Sequence, residues 1–349
     1  MSGDLDLEQR YRRVLRLLPG YYRDTWEEDM VAAFLDSWMT GDPDEDSVTM
    51  EYDRPAWQEV ASVAGLAARL YLGGAGAPRR YFVWGQAVRG AVLAVVLVHA
   101  AGALDGLVRL TWTHRLLGWL PAPPVNIPTA ASGGIWPTTG YAVDCAWIAV
   151  FLMLVLGRYR TARVIAALAV VPGLVALLEY ELNGRVPEPY GTWAYWALLD
   201  LAPVLAMAAF YAGAPPVARR PWLLALPACY LLVYAPVLAL QWTGNSAWLP
   251  DFSGLCCLLV ALACLAHAPR AWSRRSAGSG VWSLTLTLLA AVVGVDRIIS
   301  LNDYLSDQHL MNVSRAELLI LLAAAALVAP DAVRAQAARP APPPRPRLG

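Results

Sequence analysis

The sequence predicts an all-α fold: a polytopic membrane helix bundle of about eight transmembrane helices, carrying a small N-terminal three-helix cytosolic domain. Three observations predict it. From about Trp84 to Arg334 the chain is a series of apolar runs separated by short polar loops, each close to the ~20 residues that cross a ~30 Å hydrocarbon core. The composition is 58% hydrophobic and 15% charged, with mean hydropathy +0.44, whereas soluble domains average about 25% charged. Charge is also unevenly divided: residues 1–80 hold fifteen acidic against nine basic side chains, a balance of −6, which leaves +6 for the rest. The chain therefore divides into a cytosolic head over 1–80, a transmembrane bundle over 81–334 and a disordered Pro/Arg-rich tail over 335–349. An acidic head on a basic body is not the charge pattern of a nucleic-acid binder.

In the head, Leu7, Tyr11, Val14, Leu15 and Leu18 recur on one face of a helix, which Pro19-Gly20 ends. A second helix places Tyr22, Trp26, Met30, Phe34 and Trp38 at a spacing of four, opposite Glu27, Glu28, Asp29 and Asp36. An acidic loop over 42–53 leads to Asp53, an N-cap for a third helix whose apolar face is expected to hold Trp57, Val60, Ala61, Ala64 and Tyr71. The polar and acidic start offers no signal peptide, so the first span is expected to insert as its own anchor.

The string RYRRVLRLLPGYYRDTWEEDMVAAFLD, from Arg10 to Asp36, resembles the head of many actinobacterial membrane proteins. It is similar to the PadR-associated alpha-helical signalling domain (HAAS type) and to the related permease-prefix segment. The matching positions are Arg12, Leu17, Leu18, Pro19, Tyr22, Arg23, Trp26, Glu27, Glu28, Met30 and Leu35, and Asp29 departs from the usual direct Glu-Glu-Met run. The resemblance covers about the first fifth of the chain. It implies a signalling or assembly role, with Arg12, Tyr22, Arg23, Trp26, Glu27 and Glu28 meeting a partner such as a PadR-like regulator or a transporter ATPase. The plainer alternative is a cap that packs its own aromatic residues.

Eight spans are expected near 84–108, 139–157, 164–180, 195–212, 222–241, 251–268, 281–301 and 316–334. Arginines decide the orientation. The loops after the second, fourth and sixth spans carry Arg158, Arg160 and Arg163, then Arg219 and Arg220, then Arg270, Arg274 and Arg275. The intervening loops hold Glu181, Glu188, Asp303 and Asp307. Both termini are therefore expected in the cytoplasm, with the protein in the plasma membrane. Tryptophans near span ends, such as Trp84, Trp193, Trp222 and Trp282, suit the headgroup layer. Residues 112–120 are expected to form an interfacial helix. Pro172, Pro203, Pro227 and Pro236 fall within spans and are expected to kink or interrupt them; interruptions can line a cavity, though plain kinks are the commoner outcome.

Ionisable groups inside a bilayer are expensive and mark a protein interior or a cavity. The candidates are His99, Asp144, Glu179, Asp200, Asp296 and Arg297, nearly all in the outward half of the expected topology. Arg297 keeps its charge, and Asp144, Asp200 or Glu179 could supply its carboxylate. Two readings follow: an outward polar pocket for a small or lipid-derived ligand, or an ion-pair network that holds the bundle together. Cys145, Cys229, Cys256, Cys257 and Cys264 lack metal-ligand spacing. The chain has no P-loop, no HExxH and no GxSxG motif, and neither a catalytic residue nor a cofactor is expected. The functional expectation is a signalling or sensor component, the alternative a permease-like subunit working with a separate ATPase.

Overall fold

The computed structural model describes residues 7–38, 54–74, 77–113, 135–182, 201–211, 213–243, 251–273, 279–301 and 308–337. The chain divides into two compact units, one ending at Gly85 and the other running from Gln86 to Arg339. No strand occurs among the described residues.

In the first unit, α1 (Leu7–Leu15), α2 (Gly20–Trp38) and α3 (Trp57–Tyr71) share one core. Leu7, Tyr11, Leu15 and Leu18 are buried at the expected spacing, against Val31 and Phe34 of α2. The Tyr11 and Phe34 rings stack 3.9 Å apart. The third helix differs from expectation. Val63, Ala67 and Leu70 face the core, whereas Trp57 is 80% exposed and Tyr71 lies on the outer side. Ring size had drawn the expected stripe toward Trp57 and Tyr71, but small aliphatic groups at i, i+4 and i+7 let α3 approach α1 closely.

Among the described residues, five helices are long and apolar enough to cross a membrane, and the chain is an integral membrane protein. The first is α4 (Arg79–Thr113), which begins in the first unit and outruns the expected 84–108 at both ends. It takes in Trp112, the start of the expected interfacial helix; 114–120 lie outside the described residues. Next come α5 (Ile135–Val155) and α6 (Tyr159–Leu182), joined by a tight turn. Gly157 adopts φ +82° there, a backbone that favours glycine, and the Arg158 amide donates back to the Met153 carbonyl at 2.8 Å. The fourth expected span is described only from residue 201, as a short helical stretch to 206 and a 3-10 turn at Met207–Ala209. Arg163 of α6 donates to the carbonyls of Met207 and Phe210, so this arginine ties the turn to α6.

The fifth expected span is one continuous helix with a π-helical turn inside it. It consists of α7 (Arg219–Cys229), a π-helical turn at Tyr230–Tyr234 and α8 (Ala235–Thr243). Pro236 cannot donate to the carbonyl four residues back, and the wide turn sits immediately before it. Pro172, by contrast, lies within an unbroken α6.

The last three helices, α9 (Phe252–Trp272), α10 (Ser279–Ser300) and α11 (Gln308–Ala337), pack antiparallel around a core of small and branched groups. Cys257, Ala261 and Cys264 of α9 recur at i, i+4 and i+7, and Leu321, Ala324 and Val328 of α11 at i, i+3 and i+7. Lipid tails are as apolar as these side chains, so close van der Waals approach drives such packing. A second core joins α4, α5 and α6 through Val96, Ala100, Trp147, Phe151 and Ala166, with Met207 and Phe210.

Candidate functional site

The two ends of the α9–α11 bundle are pinned by different polar groups. At one end Arg297, 2% exposed, leaves α10 and meets two carboxylates. Its Nη1 donates to both oxygens of Asp251 at 2.7 and 2.8 Å, and its Nη2 donates to Glu317 of α11. Asp251 has a second role: it is the N-cap of α9 and accepts the Gly254 amide at 2.8 Å. A carboxylate is doubly suited to that position, since it satisfies an orphan donor and meets the positive end of the helix. At the other end, His267 Nε2 lies 3.1 Å from Ser283 Oγ, which donates to Asp331 at 2.8 Å.

Arg297 thus has two carboxylate partners that were not among those expected. Asp144, Asp200 and Glu179 were candidates because they lie inside apolar runs. Among the described residues the guanidinium is answered by Asp251 at the start of α9 and by Glu317 in the third turn of α11. Antiparallel packing brings both beside the end of α10.

Asp296 is the neighbour of Arg297 in sequence but not in direction. Consecutive residues on a helix diverge by about 100°. Asp296 Oδ2 accepts from Ser253 at 2.6 Å, and its Oδ1 is buried without a hydrogen-bond partner. Asp296 also lines a cavity of about 430 Å³ whose wall comes from α4, α5, α7, the π turn, α9 and α10. His99 and Asp144 line the same cavity, so three of the six expected residues share one space. His99 stacks on Trp147 with ring centres 4.6 Å apart. Asp144 is exposed. Arg297 stands behind the wall in the ion-pair network. Glu179 belongs to α6, but its side chain lies outside the described residues, as does all of Asp200.

The π turn shapes the wall. Tyr234 lines the cavity and its hydroxyl donates to the Val98 carbonyl at 3.1 Å. A Cβ on Gly102 would lie 2.8 Å from that hydroxyl, so any larger residue must displace the end of the tyrosine and its hydrogen bond. Gly102→Ala is expected to destabilise the protein by about 1–3 kcal/mol, and adding Tyr234→Phe should recover most of the loss. Thermal unfolding of the two single variants and the double variant measures the coupling.

Sequence reasoning passed over Asp105 and Arg109, an i,i+4 ion pair within α4 at 2.5 Å. The spacing was visible, but an expected span end at 108 split the pair. Arg89, buried in α4 with Nη1 toward the Pro215 carbonyl, was likewise passed over as one arginine inside an apolar run.

In the head, Arg12 makes a forked contact with Glu28 at 2.7 and 2.9 Å, and its Nε donates to Glu8 at 2.9 Å. Glu27 lies 3.8 Å away. The Arg12 guanidinium holds the Glu28 carboxyl below its ordinary value. Three of the six expected partner-binding residues are thus paired with one another across α1 and α2. Trp26 is 48% exposed, and Tyr22 is half-buried against the core. Arg23 is partly buried, with its Nε unpaired.

No family model matches the chain, and no curated protein or solved structure matches it.

Proposed function

We propose that this integral membrane protein is a sensor component. Its bundle takes up a small or lipid-derived ligand, and its head docks a cytosolic partner of the PadR-like regulator kind. The observation that carries this reading is the cavity between the helices, apolar for most of its wall but holding His99, Asp144 and Asp296. Such a space, with a few convergent polar groups, is the usual form of a ligand site. The exposed Trp26 and Trp57 of the head, with the resemblance of Arg10 to Asp36 to signalling heads, support the docking role. Both termini lie in the cytoplasm and the bundle crosses the plasma membrane eight times. The arginines after the second, fourth and sixth spans support that orientation. In the count of eight, α5, α6 and the segment ending at residue 206 join the five long apolar helices.

One observation favours a second reading, a permease-like subunit working with a separate ATPase. The π turn of the fifth span lies against the cavity, and such turns inside a helix are frequent at functional sites. A chromosomal Trp26→Ala/Trp57→Ala variant, compared with a full deletion, separates the two. Sensing predicts that both strains change the same set of transcripts while the variant protein remains at normal level in the membrane. Unaltered transcripts in the deletion strain, together with lost uptake or export of a solute, would replace the sensor by the permease.

A further inference from the structure

We propose that the cavity binds a cation-headed amphiphile: an organic ammonium carried on a hydrocarbon body. This rests on the reading of the cavity as the ligand site and specifies what enters it.

The unmet oxygen of Asp296 points to a cation. Arg297 meets Asp251 and Glu317, whereas Asp296 takes its hydrogen bond from Ser253. The two terminal nitrogens of Arg297 are both committed, to Asp251 and to Glu317. Asp296 is left with a single neutral donor, Ser253, on Oδ2, while Oδ1 has none. Asp296 is only 8% exposed, and the space it lines is the cavity. An unmet carboxylate oxygen in such a place is costly, and an ammonium N–H would satisfy both its hydrogen-bonding need and its charge. An anionic ligand would meet Asp296 and Asp144 with like charge. A neutral apolar one would leave Oδ1 as it is.

The rest of the wall suits the remainder of such a molecule. Val95, Val98, Leu259, Leu289 and Val292 supply aliphatic surface, and Trp147, Tyr234 and Phe252 supply aromatic rings. Ring faces attract organic cations, more strongly where water is excluded. A volume of about 430 Å³ lies within the roughly 300–1,000 Å³ range of small-molecule sites. A chain of several carbons with an amine at one end fits that chemistry, and an inorganic cation would leave the aliphatic wall unused.

The test uses the full-length protein in phosphatidylcholine nanodiscs, with empty nanodiscs subtracted. Tritiated octylamine is the probe, and unlabelled octylamine, 1-octanol and octanoate compete. Saturable binding is expected, with octylamine displacing the probe about tenfold better than octanol and octanoate failing. Asp296→Asn should abolish that preference while octanol still binds. Asp144→Asn, at an exposed position, should weaken octylamine by a smaller factor. Equal displacement by octanol, a preference for octanoate, or an unchanged preference in Asp296→Asn overturns the ammonium assignment but leaves a ligand cavity. The wild-type competition decides even if Asp296→Asn does not fold. If none of the three probes binds saturably, the cavity reading itself falls.

Discussion

Arg297→Met is expected to destabilise the bundle by about 3–5 kcal/mol, because it removes the guanidinium that the buried Glu317 and the partly buried Asp251 share. Glu317 is almost fully buried and Asp251 partly so. The loss should appear as a lower midpoint in thermal unfolding of the purified protein and as less monodisperse material on extraction from membranes. The cause is separable from simple loss of packing. In Arg297→Met/Asp251→Asn/Glu317→Leu, Asn retains the N-cap function at position 251, and apolar groups fill the interior. Replacing a buried ion group whole is often neutral or stabilising, whereas breaking it is not. The triple variant should therefore unfold near the wild-type temperature. A triple variant as unstable as the single one would mean that Arg297 acts through packing, not through charge.

The same residue shows what could be read in the sequence and what could not. That Arg297 and Asp296 belonged to a polar site was legible, because charges within apolar runs stand out. Their partners were not. Asp251 sits at a helix start and Glu317 near one, where acidic residues are common for local reasons, so neither looked exceptional. Only the antiparallel packing of α9, α10 and α11 brings them together. The cavity was half legible. His99, Asp144 and Asp296 were named for their chemistry, but that they line one space depends on which helices are neighbours. Hydropathy does not carry that information, since every face of a membrane helix is apolar. The π turn at Tyr230–Tyr234 falls in a span that its prolines were expected to kink or interrupt. The wide turn itself, and the placement of Tyr234 against Gly102, are matters of tertiary contact. The long helices were legible, five of them at positions close to those expected, because length and apolarity are properties of the chain itself.

Phe34→Ala is expected to unfold the head while leaving the bundle folded. Phe34 is 4% exposed, and its ring stacks on Tyr11 at the centre of the packing of α1, α2 and α3. Truncating a buried phenylalanine costs about 3–5 kcal/mol. A domain of this size has a total stability of about 5 kcal/mol and little spare core to absorb the loss. The core residues around Phe34 come from positions 7 to 70, and none belongs to the bundle, whose packing should not register the change. Hydrogen exchange on the full-length protein in nanodiscs provides the readout. Amides of α1, α2 and α3 should lose protection, and those of α9, α10 and α11 should keep it. Phe34→Leu, which keeps most of the buried volume, should stay near wild type. Because α4 runs from the first unit into the second, its amides carry the decisive information. Exchange that spreads from Arg79 into the middle of α4 would show head and bundle to be one cooperative structure. Protection that resumes within the first turns past Gln86 would show that the head can be lost alone, so that a docking defect and a membrane defect can be assigned separately.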